Sequence, residues 1–332
     1  MGGDRAPQAT VKGAIRAKQE LGLEVVLVGQ EEVVWAELDK HGARGEIPVY
    51  HASEVVAMDE SPVKAARSKL DSSIHRAFDL IKKGQAEAVI SAGNSGAVMA
   101  CAVLLLGRIK GIDRPALATV FPSLGDPTVV IDVGANVDSQ PRHLLQFGLM
   151  GDIFAREVLG YKEPRVGLLS VGEEDVKGND QTRRTHDLLK KAALNFVGNV
   201  EGRDLFAGKV QVVVCDGFVG NVCLKLTEGV ALAMYSLLKR EIMASAWTKL
   251  GGLMLKPAFH RFDKLVNYAE YGGAPLLGLN GSCLICHGSS DDRAIMNAVR
   301  MASDWVGRGF NDKLALIMKD HQKTDNGLNA GE

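Results

Sequence analysis

The sequence has no surplus of charge: 39 Lys and Arg stand against 40 Asp and Glu, for a formal net charge of −1. Its basic residues are not concentrated along the chain, which argues against nucleic-acid binding. The longest apolar runs fall well short of the roughly 20 residues that span a bilayer. The opening stretch MGGDRAPQAT lacks the charged, apolar and small-residue regions of a secretory signal, so the expected compartment is the cytoplasm. Five cysteines, Cys101, Cys215, Cys223, Cys283 and Cys286, are an odd count without disulfide-framework spacing, and reduced thiols are expected. There is no Walker A sequence and no G-x-G-x-x-G after a strand, so nucleotide and dinucleotide fingerprints are missing. Also absent are G-x-S-x-G, H-E-x-x-H and any cysteine and histidine cluster with zinc spacing. Neither a cofactor nor a metal is expected.

What is present is an α/β pattern in 332 residues, 46% of them apolar. Strand-like runs at 24–28, 88–91, 116–121, 128–133, 165–170, 210–215 and 282–286 alternate with helical patterns. The helices are expected at 63–83 after Pro62, 95–106, 141–159, 180–193 and 220–240. The reading is a three-layer Rossmann-like sandwich with a largely parallel sheet, one domain over 1–332. Residues 241–271 are set apart as an inserted amphipathic helical protrusion, and 309–332 as a polar tail holding a last short helix.

Five loops after strands are rich in Gly, Asn, Asp, Ser and Lys: SAGNSGA at 91–97, DVGANVD at 132–138, VGEEDVKGND at 171–180, CDGFVGN at 215–221 and CHGSSDD at 286–292. Glycines let backbone amides approach an oxyanion, and the following helix N-terminus adds partial positive charge. Five such loops suggest one phosphate-sized cleft at strand ends. Cys283, Cys286 and His287 spell the C-x-x-C-H of haem attachment, but they lie in a strand, loop and helix unit of a chain without export features. The cysteines are therefore read as packing and His287 as a site candidate, with a loop-stabilising histidine as the alternative. Lys177 sits in a defined loop. Lys225 lies one turn inside a helix, where a surface role is equally open. Amides, lysines and a histidine suit the positioning of an anionic nucleophile and the stabilisation of a tetrahedral oxyanion.

MGGDRAP, DSSIHRAFDLIKKGQAEAVISAGNSGA, DVGANVD, GEEDVKGND, CDGFVGNVCLK, GAPLLGLNG and HGSS resemble, in order from Met1 to about residue 305, the bacterial phosphate acyltransferases of the PlsX family. The resemblance implies transfer of a long-chain acyl group from acyl-acyl carrier protein to inorganic phosphate. The acyl-phosphate then feeds a membrane acyltransferase acting on glycerol 3-phosphate, in phospholipid synthesis. It also implies a homodimer with a fold related to isocitrate and isopropylmalate dehydrogenases and to phosphotransacetylase. Matched motifs nominate Lys177, Asn221 and His287 as catalytic, and Asn94, Ser95, Gly96, Asp132, Gly134, Asn136, Asp216, Gly217, Lys225 and Gly288 as substrate contacts. Asp132 and Asp216 are equally open to a role as structural caps. The resemblance further implies a short apolar strand ahead of the MGGD motif, on which this chain opens. Asn94-Ser95-Gly96 stands where such proteins often carry Asn-Thr-Gly, keeping the hydroxyl. A phosphotransacetylase-like enzyme using acyl-coenzyme A and a noncatalytic membrane or carrier-binding scaffold are the other readings.

Between 241 and 271, Trp247, Leu253, Phe259 and Phe262 mix with Lys256, Arg261 and Lys264. The pattern reads as basic amphipathic helices interrupted near Gly251-Gly252 and Pro257. Three uses are open: peripheral docking on the inner face of the membrane, a dimer interface, and contact with an acidic carrier protein.

Overall fold

The computed structural model describes residues 1–259, 262 and 272–329. An eight-stranded sheet is built from β3 (Ala88–Ser91), β4 (Ala116–Phe121), β5 (Thr128–Ile131), β6 (Val166–Leu169), β7 (Phe196–Val200), β8 (Val212–Val214), β9 (Ala274–Leu277) and β10 (Ser282–Ile285), in the order β3-β10-β9-β4-β5-β8-β6-β7. Pairing is parallel in both wings, β3 with β10 and β5 with β8, β6 and β7 in turn. Three antiparallel pairings, through β9 and β4, join the wings. Strands of the two wings therefore run in opposite directions. A separate parallel pair, β1 (Leu27–Gly29) and β2 (Val49–His51), stands beside the sheet. Between β1 and β3 lies a cavity of about 640 Å³ lined by Leu27, Val28, Val89, Ile90, Ile74 and Val299, where Met1 and Gly3 also face it.

Helices cover both faces, which makes the three layers. One face carries α6 (Pro141–Glu157), α10 (Asp292–Gly307) and α11 (Phe310–Asn329), whose Phe147, Met150, Phe154, Trp305 and Phe310 are buried against Val212, Val214 and Leu284. The other face carries α3 (Pro62–Ser68), α4 (Ser73–Lys82) and α5 (Ser95–Leu106), with Phe78, Val98 and Ala102 packed on Leu276 and Cys283. α1 (Gln8–Leu21) and α2 (Glu31–Lys40) make a smaller core with Leu27 and Ile47. α7 (Asp180–Lys191), α8 (Gly217–Ile242) and α9 (Ala246–Met254) lie in the chain between β6 and β9.

Three expectations are corrected. The single helix at 63–83 is two, because Ser72 caps α4 by accepting from the His75 amide and the Ser73 amide donates to Glu54. Where a polar tail with a short helix is expected over 309–332, α11 runs for 20 residues from Phe310 to Asn329 and buries Phe310, Leu314 and Met318 at helical spacing in the main core. Leu314 and Met318 are the ends of the apolar run LALIM, whose Leu316 and Ile317 are exposed, so the run alone does not show which face is buried. α9 passes through Gly251-Gly252 without interruption, since a hydrogen-only side chain at Gly252 lets α9 approach Ile242 of α8. α8 is also long and apolar enough to cross a membrane by length and composition, with a mean hydropathy of 1.2 in a window that is 11% buried. Arg261 and Lys264 lie outside the described residues.

Candidate active site

β5, β8 and β6 are adjacent and parallel, so the loops after them leave the same edge of the sheet. Asp132 follows β5. It is fully buried, and its carboxylate accepts from the amides of Leu117, Gly134, Ala135 and Asn136 and from the Asn136 side chain. Burial pushes this carboxyl up from its ordinary range, against the pull of those donors. The group thus folds DVGANVD around itself and has little left for a substrate. Asn136 is spent similarly: its amide donates to Pro115 O at 2.7 Å and to Asp132.

The loop after β8 goes directly into α8. Asp216 caps the helix by accepting from the Val219 amide at 2.9 Å. The Gly217 amide donates to Asn136 O at 2.8 Å, and a Cβ on Gly217 would meet that oxygen at 2.6 Å. Gly220 packs on the backbone of Asp132, while Gly134, with φ +138°, faces Asn221. The third loop, after β6, is joined to the first by Gln181, whose side chain donates to Ser139 O. It presents Lys177, which is exposed, with its stem laid over buried Gly172. Asn221 is also exposed, one turn into α8. Lys225 is paired with Glu228 at 2.8 Å. With the Gly217, Val219 and Gly220 amides of α8 already paired, the donors left open on these loops among the described residues are the Lys177 ammonium and the Asn221 amide, both suited to an anion.

Contacts gather the remaining loops into a second group at the ends of β3 and β10. Asn94 caps α5 by accepting from the Ala97 amide, and its own amide donates to the carbonyls of Ala57, Met58 and Glu60 at 3.0–3.1 Å. Gly96 packs on Pro62, and the Asp4 amide donates to Gly288 O. Ser95 is exposed. His287 is exposed too, and its Nδ1 accepts from the Ser289 amide at 3.2 Å. The wings run in opposite directions, but the registers Ile285↔Ala274, Leu117↔Leu276 and Ala118↔Ile131 bring the carboxyl ends of β10 and β5 to nearly the same level of the sheet, and Ala135 of the DVGANVD loop packs on the cluster that holds Val98 and Ile285. Cys283 and Cys286 belong to different core clusters. Burial pushes the Cys286 thiol up to about 12, so these are packing residues. Sequence reasoning missed His186 and Asn199, which grip the Lys177 loop; their signal lies only in the folded contacts.

The fold, a mostly parallel sheet between helical layers, is shared with a phosphotransacetylase and a dehydrogenase of known structure. The phosphotransacetylase of Streptococcus pyogenes matches 91% of this chain and 92% of its own with a TM-score of 0.65 at 17% identity. A putative 4-hydroxythreonine-4-phosphate dehydrogenase from Salmonella typhimurium matches 90% and 94% with a TM-score of 0.50 at 15% identity. At such identities the likeness speaks for the fold. Residues 1–313 match the profile of the fatty acid synthesis protein family. A phosphate acyltransferase of Geobacter sulfurreducens is 54% identical over 320 residues, 96% of this chain and 92% of the relative. The chain belongs to the fatty acid synthesis protein family, and it is an acyltransferase of lipid biosynthesis.

Proposed function

We propose that this enzyme makes acyl-phosphate from inorganic phosphate and a long-chain acyl-acyl carrier protein. What supports the reading is an exposed Lys177, unpaired among the described residues, on the loop after β6 and an exposed Asn221 in the first turn of α8 after the neighbouring strand β8, two donors suited to an anion that is itself the nucleophile. A phosphate oxygen attacks the thioester carbonyl, the C–O bond forms, and the tetrahedral oxyanion collapses with loss of the carrier thiolate. Phosphate supplies the attacking pair, so no covalent enzyme intermediate is needed. Lys177 holds phosphate, and Asn221 donates to the developing oxyanion. Asp132, Asn136, Asp216 and Asn94 shape the loops. Hydroxylamine trapping of acyl-phosphate, with palmitoyl-acyl carrier protein and palmitoyl-coenzyme A in parallel, tests the donor. Product from the carrier thioester alone is expected. Product from coenzyme A alone would favour the phosphotransacetylase-like reading, and product from neither would contradict the proposal.

The working form is a homodimer at the cytoplasmic face of the membrane. Every residue of α8 from Gly229 to Glu241 is exposed, and Val230, Leu232, Met234, Tyr235, Leu237 and Leu238 are among them. A helix apolar on all sides belongs in a core, which a second copy supplies. Beyond it, Trp247, 83% exposed, Leu253 and Phe262 stand near Lys249 and Lys256, a combination suited to an anionic bilayer. Delivery there would pass acyl-phosphate to a membrane acyltransferase. Sedimentation at equilibrium should give a dimer. Flotation with anionic liposomes should be lost when Leu253, Phe259 and Phe262 are changed to Glu; retained flotation would exclude membrane docking through this tip.

A further inference from the structure

The loop that carries Lys177 is an unpromising place for a free ammonium. Four carboxylates, Glu173, Glu174, Asp175 and Asp180, lie within four residues of it in sequence. Opposite charges so close in sequence attract, so an ion pair between the lysine and one of these acids is the ordinary expectation. Yet among the described residues no acid lies within ion-pair distance of Lys177. Three of the four are paired elsewhere, while the Glu174 carboxylate lies over Gly172 beside the Lys177 stem without reaching its ammonium. Asp175 Oδ1 lies 3.3 Å from His186 Nε2, and its Oδ2 lies 3.4 Å from Lys190 Nζ. Glu173 is 3.8 Å from Arg203, and Asp180 is 3.1 Å from Arg184. His186 and Lys190 stand one turn apart on α7, on one face. The His186 ring is 4% exposed and sits edge-on to Phe196 at 5.2 Å, so its position is fixed by packing.

We propose that His186 is a positioning residue: with Lys190, it turns the Asp175 carboxylate away from Lys177 and so keeps that lysine free for an anionic substrate. The proposal rests on the reading of Lys177 as a phosphate contact. The loop backbone is held separately, by Asn199 donating to Glu174 O at 2.8 Å and by the Lys177 amide donating to the same oxygen at 2.9 Å. Gly178 takes φ +100° against the Thr182 side chain, a close approach that keeps the turn. Releasing Asp175 therefore changes where one charge points while leaving the loop in place.

The test is steady-state kinetics with inorganic phosphate varied and acyl-phosphate trapped by hydroxylamine. His186→Phe keeps a ring against Phe196 and removes the hold on Asp175. Lys190→Ala, on an exposed side chain, removes the second hold at no cost to folding. Each should raise KM for phosphate about fivefold with kcat within about twofold of the parent. Adding Asp175→Asn to either should return KM to within about twofold of the parent, because the carboxylate that captures Lys177 is gone. A purely structural role for His186 predicts no such rescue. The proposal is overturned if KM for phosphate is unchanged in both single variants, or if Asp175→Asn fails to restore it. Lys177→Ala, measured beside them, separates the two levels. If it too leaves KM for phosphate unchanged, the reading of the site falls; if it weakens phosphate and the rescue fails, only the positioning role falls.

Discussion

Gly220 packs so closely on the carbonyl of Asp132 that any side chain there would overlap the oxygen. This contact seats the first turn of α8 on the DVGANVD loop and sets where Asn221, the next residue, points. Gly220→Ala should cost about 3 kcal/mol of unfolding free energy, the upper range for overpacking, and should lower activity as α8 is pushed away. Urea unfolding measures the first effect. A parental midpoint would show that the contact is not a constraint.

Asn94 and Asn221 occupy similar motifs and should fail differently. Asn94→Ala removes three hydrogen bonds and a helix cap, so a stability loss of about 3 kcal/mol is expected, with kcat/KM retained in the folded fraction. Asn221→Ala should leave the melting temperature nearly unchanged and lower kcat/KM about 100-fold. Thermal melts beside trapping assays check both, and the reverse pattern would exchange the two roles.

Phe310 starts α11 between Phe154 and Trp305, at ring separations of 6.1 and 5.4 Å. Phe310→Ala should destabilise the protein by about 3–5 kcal/mol. A change below 1 kcal/mol in calorimetry or urea unfolding would mean that the C-terminal helix is dispensable to the core.

Asp71 is held by the Ser53 side chain and amide and by Arg76, which keep its carboxyl well below the usual range. A depressed folded value means stabilisation that is complete above the unfolded pKa of about 3.9 and lost as pH falls towards the lower folded value. The melting-temperature gap between the parent and Asp71→Ala should therefore be constant from pH 7 to 5 and shrink below about pH 4. A gap that grows on acidification would contradict the assignment.

Much of the frame is legible in the sequence. Asn94 before an apolar run and Gly107 after it mark α5 at both ends, and β3 and β4 are bounded as their residues suggest. β9 is hidden because Pro275 sits inside it, between two antiparallel neighbours, where sequence rules resist a strand. β7 is hidden by Gly198, which has φ +99° and marks a register shift against β6. The donor-rich loops are also legible, whereas the allocation of their side chains is not. Asn94 spends its amide on carbonyls 34 to 37 residues away, and Asp175 is claimed by a histidine eleven residues on. Such partners follow from the packing of α7 and the crossing of the sheet, so motif membership alone cannot tell a substrate contact from a loop staple.

The central claim is that phosphate is bound and activated at the loop group carrying Lys177. The direct measurement is kcat/KM for phosphate in Lys177→Ala, with the melting temperature recorded on the same preparation. A fall of about 100-fold or more with an unchanged melting temperature is predicted. A folded variant that makes acyl-phosphate with parental kcat/KM would contradict the account.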